Sequence, residues 1–142
     1  MSNNPIGLSK DQLDTPHLLL DLDLLERNID HISSYCHQKR CGWRPHSKAH
    51  KSPDIAHMQL RAGAIGITCA KLSEAEMMVQ HGIDHILLAN QLTTQGKWNR
   101  LSQLLDRAEV IVSIDNAAVL PWGIEAARKH GTVIPILIEM DV

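Results

Sequence analysis

Phenylalanine is absent from these 142 residues, tyrosine occurs once and tryptophan three times. A core drawn from this chain is therefore aliphatic, built from Leu, Ile, Val, Ala and Met, and aromatic platforms for stacking nucleic-acid bases are not expected. An excess of one charge is also lacking. Fourteen Lys and Arg face sixteen Asp and Glu, a formal charge of -2, which gives no reason to expect nucleic acid or a membrane surface as partner. No apolar run approaches the roughly 20 residues that span a bilayer. Cysteine is scarce, and Cys36, Cys41 and Cys69 are odd in number and lack CxxC spacing. That argues against a disulfide framework or zinc site and for reduced thiols in a cytoplasmic protein. The start, Met1-Ser2-Asn3-Asn4-Pro5, lacks the charged-then-apolar pattern of a signal peptide.

What is present is periodic. From residue 42 onward a short aliphatic run, a polar turn and an amphipathic stretch follow one another repeatedly. The spacing predicts strands over 42–48, 65–70, 85–90, 110–115 and 133–140. Helices are predicted over 53–62, 73–81, about 95–105 and about 117–130. Ser73-Glu74-Ala75-Glu76 has the form of a capping box, and Gly82 and Gly131 are helix stops. Earlier, 15–23 reads as a strand and 24 to about 38 as a helix, after a polar tail over 1–14. Repeated βα units imply parallel strands, in a barrel or an open sheet, so the fold class is α/β. Three regions follow: the tail 1–14, a strand and helix over 15–41, and βα units over 42–142. A polar residue ends each strand (Lys48, Lys71, Asn90, Asp115, then Glu139 and Asp141). In such sheets the carboxyl ends of strands are where ligands bind.

One segment breaks the aliphatic rule. Arg44-Pro45-His46-Ser47-Lys48-Ala49-His50-Lys51 sets cations where an apolar strand is expected. Alternation along a strand puts Arg44, His46 and Lys48 on one face. Such a face is costly to bury unless an anion or an acidic wall neutralises it. Lys48 stands at the strand end, as a Schiff-base lysine does. Lys51 competes for that role but lies in the loop before Ser52-Pro53, a helix start. The nine histidines do not make a metal site by spacing: His46 and His50 are four apart on a strand-to-loop segment, not on a helix face.

These residues resemble a known family. Thr15-Pro16-His17-Leu18-Leu19-Leu20-Asp21-Leu22-Asp23, the lysine segment 44–52, Gly63-Ala64-Ile65-Gly66-Ile67-Thr68-Cys69-Ala70-Lys71 and Gly82-Ile83-Asp84-His85-Ile86-Leu87-Leu88-Ala89-Asn90 are similar to D-threonine aldolases and the related eukaryotic-type D-serine dehydratases. The resemblance runs from about Thr15 to Asp141. It implies an alanine-racemase-type fold, a (β/α)8 barrel holding pyridoxal 5'-phosphate beside a β-rich domain. The 15–23 strand would belong to the β-rich domain and 42–48 would be the first barrel strand. It implies that Lys48 carries the cofactor. His46 and Arg44 orient the cofactor or hold an anionic group, unless they form a charged wall answered by acids elsewhere, and Asn90 is a further cofactor-side residue. The family's divalent metal (Mn, Mg or Zn) would take its ligands from beyond this chain. The implied substrate is a small D-3-hydroxyamino acid, cleaved to glycine and an aldehyde or, alternatively, dehydrated to a 2-oxo acid and ammonia. A homodimer is implied for the intact parent.

Length is the departure. A (β/α)8 barrel takes about 250 residues, and 142 supply about five of its eight strands. The expectation is the amino-terminal part of such an enzyme, a partial barrel without independent catalysis. A cofactor carrier without turnover and an inert remnant are the rival readings.

Overall fold

The computed structural model describes residues 5–140. The first residues of the expected tail and Asp141 lie outside them. Helix α1 (Leu22–Gln38) is followed by α2 (Pro53–Arg61), β1 (Ile67–Cys69), α3 (Leu72–Gln80), β2 (His85–Leu88), α4 (Gln95–Ser102), β3 (Glu109–Ile114), α5 (Leu120–Lys129) and β4 (Ile136–Ile138). The four strands form one sheet in sequence order, every pair parallel. The alternating pattern that runs from β1 to β4 thus becomes a parallel four-stranded sheet with helices in the connections.

Local chemistry sets the helix ends. Asp21, Ser52 and Thr94 each accept an amide hydrogen of their helix's first turn, from Leu24, Ile55 and Lys97. Pro53 opens α2, where its missing N–H costs nothing. Gly82 and Gly131 follow α3 and α5 with φ of 82° and 58°, the left-handed stops expected of them. The capping box expected at Ser73 is corrected. Helix α3 starts one residue earlier with Lys71 as its cap, and the Glu74 carboxylate reaches back to the Ala70 amide at 2.8 Å.

The strand expected over 15–23 does not form. Asp21 caps α1 instead, Thr15-Pro16 is a cis bond, and Leu18 is 99 % exposed. Strand structure requires a ladder, and among the described residues nothing pairs with this run, so a Leu-rich sequence alone leaves it extended and bare. The 42–48 strand survives in reduced form. Ile65 N–H donates to Trp43 O, Thr68 N–H to Pro45 O and Ser47 N–H to Thr68 O, each at 2.8 Å. His46 bridges Thr68 in parallel. Pro45 has no N–H to give, so the ladder is intermittent, as befits an edge.

Two faces follow from the alternation. Ile67, Cys69, Ile86, Leu88, Val110, Val112 and Ile114 point to the helices and are buried. Ala75, Met78, Trp98 and Leu101 meet them from α3 and α4. Trp98 fills the largest buried volume, its indole N–H donating to Leu92 O at 2.9 Å. Its ring rests on Gly123 of α5, where a Cβ would come within 3.0 Å of Cζ3. At β4 the burial gives out: Ile136, Leu137 and Ile138 are all exposed. Helix α1 stands apart from this core, with Ile29 its only buried residue and Ser33 Oγ bonded to the Ala62 carbonyl at the end of α2.

Candidate active site

The register sorts the opposite face into rows. His46 lies beside Thr68, Thr68 beside Leu87, and Leu87 beside Ile111. Continuing the four strands by the register gives the next row at the carboxyl ends, Ala70, Ala89, Ser113 and Leu137, while Lys48 stands in the turn that follows the His46 bridge. That row is small on its first three strands, Ala70, Ala89 and Ser113, with Ser113 buried. Lys48 is exposed, and among the described residues its amine meets no acid.

Ser47 anchors the point from which Lys48 emerges. It is fully buried, its N–H donates to Thr68 O at 2.8 Å, and its Oγ donates to the same carbonyl at 3.1 Å. The chain then turns at once, with Lys51 N–H donating to Ser47 O at 2.8 Å. Within the turn, Lys48 N–H donates to His46 Nδ1 at 3.2 Å. Beneath it lies the Cys69 thiol, 3.6 Å from Ser47 Oγ, which burial pushes up to about 11 and so keeps protonated. Cys69 is a packing group here, not a nucleophile.

The two lysines of the motif are separated by their partners. Lys51 has φ of 50°, and its amine lies 4.0 Å from Glu74 Oε1. Glu74 is buried and spends its other oxygen on the Ala70 amide. Glu74 therefore ties the end of β1, the start of α3 and the lysine turn together, and it engages Lys51 rather than Lys48.

The remaining expected residues are placed as follows. His46 bridges Thr68, is half-buried, and accepts the Lys48 amide hydrogen at the start of the turn. Asn90 stands at the same carboxyl end, where Nδ2 donates to Ala70 O at 3.1 Å and Oδ1 accepts from Gln91 N–H at 2.9 Å. Arg44 is not brought to Lys48. It lies at the amino ends of the strands, where Nη1 donates to His85 O at 3.2 Å across Gly66. There it closes the base of the sheet. Lys71 shares a shallow cleft with Asn90, Lys97 and Arg100, not lined by Lys48. A larger apolar groove between α5 and β4, lined by Trp98, Ile114, Ile124 and Ile136, is on the helix side and has no reacting groups.

Sequence reasoning missed Ser47 and the second role of Glu74. Alternation could have found Ser47, since the residue between His46 and Lys48 must face the helices. Glu74 was legible as a helix-start acid, but its reach to Lys51 joins residues 23 apart in sequence and needs the fold.

Residues 20–142 match the family described as alanine racemase, N-terminal domain. Among characterised proteins, the chain is 37% identical over 137 residues to a 3-hydroxy-D-aspartate aldolase of Paracoccus denitrificans, covering 95% of this chain and 35% of that one. It is 40% identical over 131 residues to a D-threonine aldolase of an Arthrobacter species, covering 92% and 35%. In structure it is similar to the D-threonine aldolase of Filomicrobium marinum, with TM-score 0.86, 41% identity and coverage of 90% and 35%. It is also similar to the D-threo-3-hydroxyaspartate dehydratase of Delftia sp. HT23, with TM-score 0.80, 31% identity and coverage of 89% and 34%. A metal-free form of a variant of such a dehydratase is among the similar structures. The chain thus spans about a third of the length of the relatives it matches.

Proposed function

The chain belongs to the alanine racemase N-terminal domain family, and from that premise we propose that it is the cofactor-lysine portion of a pyridoxal-phosphate-dependent lyase acting on D-3-hydroxyamino acids. The carrying observation is the difference between Lys48 and Lys51: one amine is exposed and meets no acid among the described residues, the other lies 4.0 Å from Glu74 Oε1. The lysine fits the group: its amine is exposed and unpaired with any acid among the described residues, on a turn anchored by the buried Ser47. Lys48 would hold the cofactor, with His46 beside it and Asn90 at the same carboxyl end of the sheet. When bound, pyridoxal phosphate supplies a conjugated ring that accepts the electron pair of a broken Cα bond.

The chain's own part is to aim. Ser47 fixes the strand tip, His46 takes the Lys48 amide, and Glu74 pairs with Lys51 rather than Lys48. We read the parent reaction as aldol cleavage to glycine and an aldehyde, supported by the 37% and 40% identities to aldolases against 32% for the dehydratase. The second reading is elimination of water, in which Lys48 takes the Cα proton. In either case the remaining strands, the divalent metal's ligands and the partner of a dimer come from a longer polypeptide, and the regions 15–41 and 42–142 are its entry segment and partial barrel.

The test is titration of the chain with pyridoxal 5'-phosphate, borohydride trapping and peptide mapping. Label concentrated on Lys48, lost in Lys48→Ala and kept in Lys51→Ala, is the expected result. Label on Lys51 instead, or spread evenly over exposed lysines, would falsify the assignment.

A further inference from the structure

Two imidazoles bracket Lys48, and each accepts the amide hydrogen of the residue two positions ahead. His46 Nδ1 takes Lys48 N–H at 3.2 Å, and His50 Nδ1 takes Ser52 N–H at 3.0 Å. An imidazole that accepts at Nδ1 is neutral there and carries its proton on Nε2. For His50 that Nε2 is shut off from water without a hydrogen bond of good geometry, and so is Gln59 Oε1 on α2. A buried donor and a buried acceptor each cost free energy while unpaired. Gln59 lies on the helix that Ser52 caps, immediately after the turn that carries His50. Each group is thus the other's natural partner, and closing that bond clasps the lysine turn to α2.

We propose that His50 is a positioning residue for Lys48: by accepting from Ser52 and donating to Gln59 it locks the 47–52 turn whose start presents the cofactor lysine. This rests on the reading of Lys48 given above. The turn's other constraints are the Ser47–Lys51 backbone bond, the Lys48 bond to His46, the Lys51–Glu74 pair, which is solvent-exposed on the lysine side, and Ser52, which caps α2. A hydrogen-bonded ring at position 50 would add a side-chain tie between the turn and the body of α2.

The Ser52 half of the clasp works only with a neutral ring, since protonation turns Nδ1 from acceptor into donor and expels the Ser52 amide, whereas Nε2 carries its proton in both forms. Burial is the main cause that holds His50 below its ordinary value of 6.5. The unfolded or opened turn binds the proton more readily, so the Ser52 bond is complete above the ordinary value and is lost as pH falls through the lower, folded one. The ionisable groups on the segments around the ring are His46, Lys48 and Lys51 in the turn, Asp54 and His57 on α2, and Glu74 on α3.

The experiment compares the chain with His50→Asn, which keeps a short acceptor for Ser52, and His50→Leu, which keeps none. Nitrogen-15 spectra of the wild type should show the Nε2–H form of His50 and a slowly exchanging Ser52 amide at neutral pH. With pyridoxal 5'-phosphate and borohydride, the preference for Lys48 over Lys51 should fall about tenfold in His50→Leu, the scale of one buried hydrogen bond, and largely return in His50→Asn. Far-ultraviolet circular dichroism confirms that both variants fold. Unchanged Lys48 preference in a folded His50→Leu, or an Nδ1–H ring in the wild type, overturns the proposal while leaving Lys48 as the cofactor lysine. Absence of Lys48 labelling in the wild type overturns the proposed function itself, and this inference with it.

Discussion

Replacing Gly66 by alanine tests the base of the sheet. Gly66 precedes β1 with φ of 146°, a conformation that side chains rarely adopt. A Cβ built there overlaps Arg44 Nη1 and comes within 2.5 Å of the His85 carbonyl oxygen. The guanidinium can swing away, although it then gives up its 3.2 Å bond to that carbonyl. The carbonyl cannot, because it leads directly into β2, whose Ile86 pairs with Ile67. The backbone strain is worth about 1–2 kcal/mol and the overpacking about 1–3 kcal/mol. A loss of about 3 kcal/mol is therefore expected, out of the roughly 5–15 kcal/mol typical of a domain. For a chain of this size that is a drop of about 10 °C in Tm. Urea unfolding followed by Trp fluorescence and by circular dichroism measures it. An Arg44→Ala background separates the causes, since it removes the guanidinium and leaves the carbonyl. If Gly66→Ala costs less than about 1 kcal/mol, or if Arg44→Ala restores the loss in full, the close approach of the two strands is not what requires glycine here.

Two further perturbations probe the lysine motif from behind. Glu74→Ala leaves the Ala70 amide without its acceptor and should cost about 1–3 kcal/mol in urea unfolding, whereas Glu74→Gln retains an acceptor and Lys51→Ala loses only an exposed pair worth about 0–1 kcal/mol; equal losses in all three would contradict the role given to Glu74. At pH 8 iodoacetamide should modify the exposed Cys41 well before the buried Cys69. With its thiol raised from 9.0 to about 11, Cys69 holds its proton more tightly folded than unfolded, so its contribution to stability is present below the unfolded value and is lost as pH rises toward about 11. Early alkylation of Cys69 in the folded chain, or stability that rises over that interval in the wild type but not in Cys69→Ala, would refute the burial argument.

Much of the architecture could be read along the chain because it is governed by short-range patterns. The α/β alternation, the parallel order, the stops at Gly82 and Gly131 and the cap at Ser52-Pro53 all depend on residues within a turn or two of one another. Several strands were drawn longer than they are, since a ladder needs a neighbour and the neighbour is remote in sequence: 65–70 contracts to Ile67–Cys69 and 133–140 to Ile136–Ile138, whereas 110–115 only shifts by one residue to Glu109–Ile114. The run 15–23 is the extreme case. Its Leu-rich composition suits a strand, but among the described residues no edge receives it, and the Asp21 carboxylate commits the chain to a helix instead.

At the site, alternation placed Lys48 and His46 on one face and the family pattern singled out Lys48. Three-dimensional contact decided the rest. Arg44 shares that face by alternation, yet its charge meets a carbonyl at the base of the sheet. Lys51 is paired with a carboxylate from the next helix but one. Periodicity thus determined which elements exist and which way their side chains point, because those depend on backbone geometry that every residue carries with it. Which cations are engaged by the fold, as Arg44 and Lys51 are, depended on acids and carbonyls far away along the chain, and only folding brings those into reach.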